Sequence, residues 1–248
     1  MMDEKALLRP DERVDDLQFQ GLRIIQSPNA FRFSMDSVLL ADFCFLRKGM
    51  RVCDLGTGTG ILPLLLYGRG EGLTFDAVEI QQDAAERAQR TVTLNRLEES
   101  ITVHARDLKE VRSFLPHAAY DLVVCNPPYS ASDTALLSPN PALRDARQEE
   151  RCTLEDILRA AEWLLKNRGR FAFMLPAARL QEATVLLNKH CFQIKRLRFV
   201  HGKAERPARL MLVEAMTDCG SGMRVMPPLI VKNADGTDTD EIRRIYHM

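Results

Sequence analysis

The sequence predicts an α/β fold: a doubly wound, mostly parallel sheet of seven strands with one strand reversed. Three observations carry this. From about residue 51 onward, short apolar strands alternate with segments of helical spacing. That is the pattern of βαβ units, whose parallel strands are covered by helices on both faces. The first of these strands runs straight into a glycine-rich turn that opens a helix. The last two strands are joined only by the short polar link between Val200 and Ala208. A link of that length makes an antiparallel hairpin, because a parallel pair needs a crossover.

Taken in order, Met35 to Leu46 has helical spacing, with Val38, Leu39, Leu40, Phe43 and Leu46 apolar. Arg51 to Leu55 is a strand, Ile61 to Gly68 a helix, and Thr74 to Ile80 a second strand. Gln82 to Asn95 places Ala84, Ala85, Ala88, Val92 and Leu94 on one side of a helix. Ile101 to Ala105 and Tyr120 to Cys125 are strands, the second stopped by Pro127 and Pro128, which cannot donate to a ladder. A loop rich in Ser, Asn, Pro and Arg follows, to about Arg151. Thr153 starts a helix with Glu155 and Asp156 in its first turn, where acids complement the dipole. It is expected to run to about Lys166, with Gly169 beyond its end. Arg170 to Leu175 is the fifth strand, Leu180 to Lys189 a helix, and Gln193 to Val200 and Arg209 to Ala215 the hairpin. The tail from Arg224 holds an apolar Pro-Pro-Leu-Ile-Val stretch, an Asn-Ala-Asp-Gly turn and a short helix. The expected organisation is an N-terminal extension over 1–30, one domain over 31–218, and a C-terminal tail over 219–248 packed on it.

Composition bounds the function. The 248 residues carry 34 basic and 34 acidic side chains, and 46% are hydrophobic. This excludes a disordered chain, a collagen and a disulfide miniprotein. The six cysteines form no C-x-x-C pair and the five histidines are scattered, so no metal is expected. The N-terminus lacks the apolar segment of a secretory signal, and no run of 18 apolar residues occurs. A cytoplasmic, non-membrane protein is therefore expected.

The turn Asp54-Leu-Gly-Thr-Gly-Thr-Gly60 carries the first chemical signal. Gly56, Gly58 and Gly60 let backbone approach a ligand closely and turn tightly. Glu79, at the end of the next strand, is placed to accept both hydroxyls of a ribose. The same logic serves a dinucleotide, but the G-x-G-x-G spacing differs from that fingerprint. Asp54 would also repel a pyrophosphate. A cationic nucleoside without phosphate, S-adenosylmethionine, fits both features. Asp107 ends the third strand, in His104-Ala-Arg-Asp107; its carboxylate suits an adenine's exocyclic amine, and it also suits a helix N-cap.

Asn126-Pro-Pro-Tyr129 sits at the carboxyl end of the fourth strand, where ligands of open α/β sheets bind. A planar nitrogen, in an aromatic amine or an amide, is a poor nucleophile because its lone pair is delocalised. The Asn126 oxygen can accept one of its N–H groups and the Pro127 carbonyl the other, which aims the lone pair at a methyl donor. Both prolines stiffen the segment, so the acceptors are pre-organised. Tyr129 offers a flat face for a flipped-out base.

These motifs resemble those of class I S-adenosylmethionine-dependent methyltransferases, and within them the bacterial tRNA(Val) adenine-N6-methyltransferase family. Phe31-Arg-Phe-Ser-Met-Asp-Ser-Val-Leu-Leu-Ala41 is similar to the family's segment before the first strand, which ends in Asp-(Ala/Ser)-Val-Leu-Leu-Ala. Arg198-Phe-Val-His201, Ala208 to Ala215, the Pro227-Pro-Leu-Ile segment and Glu241-Ile-Arg-Arg-Ile-Tyr246 resemble its C-terminal part. The resemblance implies a Rossmann-like domain, S-adenosylmethionine as cofactor and a tRNA substrate. It places Phe31 and Asp36 near the cofactor's methionine end. Where the family tends to show Ala-Arg-His-Glu, this chain has Gln148 at the third position. The alternative target class is a glutamine amide of a release factor, since an amide nitrogen poses the same problem; a non-catalytic binding module is the third reading.

Charge distribution bears on the substrate. Lys189, Lys195, Arg196, Arg198, Lys203, Arg206 and Arg209 face only Glu205 in the same stretch, and Arg144, Arg147 and Arg151 lie in the loop after the catalytic motif. A basic face beside the site is expected, with Arg147, Lys195, Arg198, Lys203 and Arg206 on RNA phosphates. The acids Asp3, Glu4, Asp11, Glu12, Asp15 and Asp16 gather in the N-terminal segment.

Overall fold

The structure, a computed structural model, describes residues 4–27, 35–127 and 152–246. Its centre is a sheet built from β3 (Arg51–Leu55), β4 (Thr74–Glu79), β5 (Ile101–Ala105), β6 (Tyr120–Cys125), β7 (Leu165–Pro176), β8 (Gln193–His201) and β9 (Ala208–Met216). Two short strands of the tail, β10 (Arg224–Val225) and β11 (Leu229–Ile230), extend it beyond β8. The spatial order is β10-β8-β9-β7-β6-β3-β4-β5. All pairings are parallel except those of β9, which is antiparallel to both β7 and β8. The seven long strands and the single reversed one are as the sequence predicts. The two dipeptide strands of the tail are additional.

Helices α1 (Met35–Phe43), α2 (Ile61–Arg69), α3 (Gln82–Asn95), α4 (Leu154–Leu164) and α5 (Leu180–Lys189) cover the sheet, and α6 (Asp240–Ile245) closes the chain. Two apolar clusters form, one centred on α1, α2 and the two terminal segments, the other on α4 and α5. In α2 all of Ile61 to Leu66 are buried, and Pro63 is tolerated because the first-turn N–H groups have no intrahelical acceptor. Helix α4 starts with a reciprocal cap: Thr153 Oγ1 accepts from Asp156 N, and Asp156 Oδ2 accepts from Thr153 N at 3.0 Å.

One boundary differs from expectation. Helix α4 ends at Leu164 and β7 begins at once, so Gly169 lies within the strand segment. Tyr120 pairs with Leu165 but Leu122 pairs with Arg170, so residues 166–169 bulge out. Arg168 takes φ +61°, and a Cβ at Gly169 would sit 2.8 Å from the Lys166 carbonyl oxygen. The glycine serves this tight bulge and does not cap the helix.

The N-terminal extension has structure that the sequence reading left open. It folds into an antiparallel hairpin, β1 (Arg13–Asp16) and β2 (Arg23–Gln26), with Ile24 and Ile25 fully buried. Glu12, counted among the acids of that segment, has a side chain only 1% exposed. It accepts from Arg87 Nε at 2.9 Å and from Arg90 Nη2 at 2.8 Å, both on α3. Arg90 holds its carboxyl down at about 2 against the opposing effect of burial. The hairpin is thus bolted to α3 by a buried ion pair.

Two polar networks tie the layers together. Asp76 on β4 accepts from Arg51 Nη2 at 2.9 Å and Tyr120 Oη at 2.8 Å, and meets His104 Nε2 at 2.7 Å. Burial works to raise the Asp76 pKa, but the hydrogen bonds from His104, Arg51 and Tyr120 prevail and hold it below the usual carboxylate range. The stability this supplies is present above the unfolded pKa and fades as pH falls through the folded one. Glu214 on β9, wholly buried, is bridged by Arg170 at 2.6 Å and Arg196 at 3.2 Å. Arg196 also donates to the Phe43 carbonyl at 2.9 Å, and its guanidinium lies 4.3 Å from the Phe43 ring centroid. This triad therefore grips the C-terminal end of α1. Glu214→Ala leaves two cations without their buried partner and is expected to cost about 3 kcal/mol by urea denaturation. A loss under about 1 kcal/mol would show that the guanidinium groups reach solvent instead.

Candidate active site

Parallel pairing aligns the carboxyl ends of β3, β4, β5 and β6 along one edge. Asp54 pairs with Ala77 and Val124, and Glu79 pairs with Ala105. The strand order reverses between β3 and β6, so Asp54 and Asn126 flank the switch point, where this kind of sheet opens a crevice.

The glycine turn is locked in place by its neighbours. Gly56 N and Thr57 N donate to the Val78 carbonyl at 2.9 and 3.0 Å, and Gly58 N donates to Glu79 Oε2 at 2.9 Å. Gly56, Gly58 and Gly60 all take positive φ, +78°, +57° and +83°. Their reasons differ. A Cβ at Gly56 or Gly58 would point into open space, the room a ligand needs, whereas one at Gly60 would meet Ala88 Cβ of α3 at 3.4 Å. Gly58→Ala should cost about 1 kcal/mol through backbone strain and fill the cradle. The expected result is cofactor affinity weakened at least tenfold by titration calorimetry, well beyond what a loss of folding would give.

Asp54 is completely buried, and neither carboxylate oxygen finds a partner of hydrogen-bonding geometry among the described residues; the buried Thr57 hydroxyl is likewise unsatisfied. Burial raises Asp54 to about 7, eased by the nearby Thr57 hydroxyl and reinforced by the Glu79 charge. Uncompensated buried carboxylates are rare because they cost so much. A cationic ligand in the crevice, directly or through water, removes that cost. Glu79, nearly buried, accepts from Gly58 N with one oxygen and from Gln81 N at 2.9 Å with the other. Each oxygen keeps a further lone pair, so the carboxylate can accept two more donors.

Asp107 caps the 3₁₀ turn Leu108–Ser113, accepting from Lys109 N at 2.9 Å, while Oδ2 lies 3.5 Å from Lys109 Nζ. The capping role read from the sequence is therefore realised, at the carboxyl end of β5. Asp36 lies in the first turn of α1, and its charge, after burial, contributes to pushing the Tyr246 phenol of the tail up to about 12. Asn126 follows β6, and its Nδ2 donates to Ser37 Oγ on α1 at 3.1 Å. Tyr129, Phe31, Arg144, Arg147, Gln148 and Arg151 lie outside the described residues.

The basic run fares differently from its sequence reading. Arg198 is a clamp for the tail: its Nη2 donates to both Glu241 oxygens at 2.8 Å and its Nε to the Pro227 carbonyl at 3.0 Å. Lys195 stands near the start of β8, at the amino edge of the sheet opposite the crevice, and its ammonium binds the Gly220 carbonyl. Lys203 reaches the Ala234 carbonyl at 3.0 Å, Lys189 pairs with Glu155, and Arg196 belongs to the Glu214 triad. Net charge along the sequence could not reveal these internal partners. Arg206 and Arg209 are exposed and make no side-chain ion pair or hydrogen bond among the described residues. The β8–β9 turn that carries Arg206 projects at the carboxyl edge, about 14 Å from β6 at ordinary strand spacing.

Two site residues were not legible from sequence. Ser37 needed the fold to bring it to Asn126, 89 positions away. Ile80, beside Glu79, is 61% exposed. An apolar side chain left open at the mouth of the crevice is suited to cover the flat face of a purine. Its place directly after the acid at a strand end was the available signal.

The glycine cradle, the orphaned buried acid and the strand-end carboxylates fit S-adenosylmethionine, and comparison with known proteins agrees. Residues 24–138 match the family model of the methyltransferase small domain. Solved structures of the same fold include Atu636 of Agrobacterium tumefaciens, a predicted O-methyltransferase, at TM-score 0.69 and 22% identity over 86% of this chain and 96% of that one. TrmN of Thermus thermophilus matches at TM-score 0.53 and 22% identity over 73% of this chain and 48% of that one. Fold and site together define an S-adenosylmethionine-dependent methyltransferase. The tRNA1(Val) (adenine(37)-N6)-methyltransferase of Serratia proteamaculans is 32% identical over 87% of this chain and 82% of its own length. That of Musicola paradisiaca is 33% identical over 68% of this chain and 67% of its own. The chain belongs to this methyltransferase family.

Proposed function

We propose that the protein methylates the exocyclic N6 of an adenine in tRNA, adenine 37 of a valine tRNA, the target named for its relatives. The observation that carries this reading is Asn126, a planar acceptor at the switch point beside an anionic cofactor crevice.

In this reading Asp54, Gly56, Gly58, Glu79 and Asp107 hold the cofactor, with Asp36 at its methionine end. When bound, S-adenosylmethionine supplies a methyl group made electrophilic by its sulfonium. The Asn126 side-chain oxygen accepts one N–H of the target amine and the Pro127 carbonyl accepts the other. The nitrogen lone pair is thereby turned out of conjugation and toward the methyl group, chiefly a gain of orientation and electrostatic fit. Tyr129 stacks on the flipped base. The methylated nitrogen is acidic enough to release its proton to solvent, so no general base is assigned. Arg206 on the β8–β9 turn and Arg147 contact phosphates, and Lys203 supports that turn.

The test is incubation of the full chain with labelled S-adenosylmethionine and total tRNA from cells lacking it, followed by nucleoside analysis. N6-methyladenosine in valine tRNA is the expected product. Label appearing only in a release-factor protein would replace the substrate by a glutamine amide.

A further inference from the structure

With the internally held lysines and arginines set aside, Arg206 and Arg209 stand on one flank of the crevice. The opposite flank carries two arginines outside the basic run. Arg106 directly follows β5, whose last residue Ala105 pairs with Glu79, so it stands at the carboxyl edge. β5 lies three strands from β6, as β8 does on the other side, about 14 Å at ordinary spacing. Arg106 is exposed, and its guanidinium lies 4.9 Å from the Phe114 ring centroid. Arg112, also exposed, lies 5.2 Å from the Trp163 ring centroid, and the His117 ring meets the same indole at 4.3 Å. Phe114 and Trp163 pack on the same apolar cluster, which puts both stacks on one face of the sheet. The Trp163 carbonyl accepts from Ala118 N, just before β6, so the second stack lies toward the amino edge. Neither arginine makes an ion pair or a side-chain hydrogen bond among the described residues. The acids between Arg106 and His117 are Asp107, which faces Lys109, and Glu110.

A guanidinium over a ring is oriented by the ring yet uses none of its N–H donors there. Left without a carboxylate, it keeps its planar fork for an oxyanion. One such fork at the crevice edge and a second further down the same flank suit a polyanion that continues past the site. A cofactor without phosphate has no use for them. We propose that the Arg106–Phe114 and Arg112–Trp163 stacks form a second phosphate-binding flank, which holds RNA running from the target nucleotide down the side of the domain. The proposal rests on the RNA reading above. The flank of Arg206 and this one stand roughly 29 Å apart with Asn126 between them, so the nucleic acid is gripped on both sides of the base that enters the crevice.

The experiment compares the full-length parent, the double variant Arg106→Gln/Arg112→Gln and the control Arg96→Gln/Arg224→Gln. Glutamine keeps the aliphatic stem on each ring, and the control removes the same charge from exposed arginines elsewhere. Binding of undermodified total tRNA is measured over a salt series, with methyl transfer, cofactor Kd and thermal melting of each protein. The double variant is expected to bind tRNA about tenfold more weakly at low salt, with a salt slope smaller by about 1.5, the share of two phosphate contacts. Its cofactor Kd and its kcat at saturating tRNA should stay within about twofold, and the control should bind tRNA within about twofold of the parent. Trp163 is the only tryptophan of the chain, so tRNA should change its emission in the parent and change it less in the double variant. A folded double variant with the parental affinity and salt slope overturns the proposal. So does an equal loss in the control, a parental Trp163 emission that saturating tRNA leaves unchanged, or a loss confined to cofactor binding. The two readings fail separately. Methylation of tRNA by the parent, with the double variant at parental affinity, sinks only the second flank. A parent that binds no tRNA and labels a release factor sinks the RNA reading and the flank with it.

Discussion

Asn126→Ala is expected to lower methyl transfer by a factor of about 10³ while leaving the cofactor Kd within a few fold. The magnitude follows from losing a pre-organised acceptor that acts on the reacting nitrogen. Rapid-quench measurement of a single turnover at saturating cofactor isolates the step. Cofactor binding should survive because the proposed cradle lies on β3, β4 and the turn after β5, with Asn126 after the neighbouring strand β6. Alanine also removes the partner of Ser37, at a stability cost of about 1 kcal/mol, which melting would register separately. Transfer that continues at a tenth of the parental rate would move the acceptor role elsewhere, leaving the Pro127 carbonyl as the candidate.

Asp54→Asn should change stability and binding in opposite directions. The folded carboxyl is raised to about 7 from an ordinary value of 3.8. For an acid raised in this way, the folded state is penalised as pH climbs through the interval between the two values. The penalty is absent in strong acid and complete above about 7. The full interval corresponds to roughly 4 kcal/mol. Asparagine removes the charge but keeps buried polar atoms, so a gain of about 2 kcal/mol is expected in the ligand-free protein at pH 8. That is a melting temperature higher by about 4–8 °C, with the difference shrinking steadily toward pH 5. Cofactor affinity should fall on the order of a hundredfold through loss of a charge-assisted contact. In the parent, that affinity should rise with pH up to about neutrality as the carboxyl ionises. An Asp54→Asn protein that melts at the parental temperature at every pH would mean the carboxylate already has a partner in the ligand-free state.

The elements that build the cofactor crevice were legible because each carries a local signal. β3, β5, β6 and α3 have the bounds expected, since apolar strands and a one-sided helix declare themselves by periodicity. Glu79 and the glycine turn could be read together because parallel βαβ units bring successive strand ends to one edge. The hairpin β1–β2 was not legible. Its strands are four residues long, and its turn uses Gln18 and Gln20 at φ +51° and +54°, without the Asn-Gly or Asp-Gly signature. The end of α4 was misplaced because a bulge and a helix cap both call for glycine. The basic run misled for a different reason. A sequence shows which charges are present, but the acids that neutralise Arg196 and Arg198 arrive from Glu214 and from Glu241 in the tail.

The place of the tail in this architecture bears on when the enzyme becomes competent during synthesis. Leu229, Val231, Ile242 and Ile245 complete the same apolar cluster as Leu39 and Leu40 of α1. Arg198 on β8 waits for Glu241, and the first turn of α1, with Asp36 beside Tyr246, is covered by α6. The glycine turn and its four parallel strands can assemble as the chain emerges, because β3, β4, β5 and β6 pair with one another and all precede the tail. The seat of α1 is finished only by the tail, whose Ile242 and Ile245 follow every strand of the sheet. A nascent chain should thus hold the glycine turn in its sheet before α1 is fully seated, so that the helix beside the crevice is among the last parts to settle.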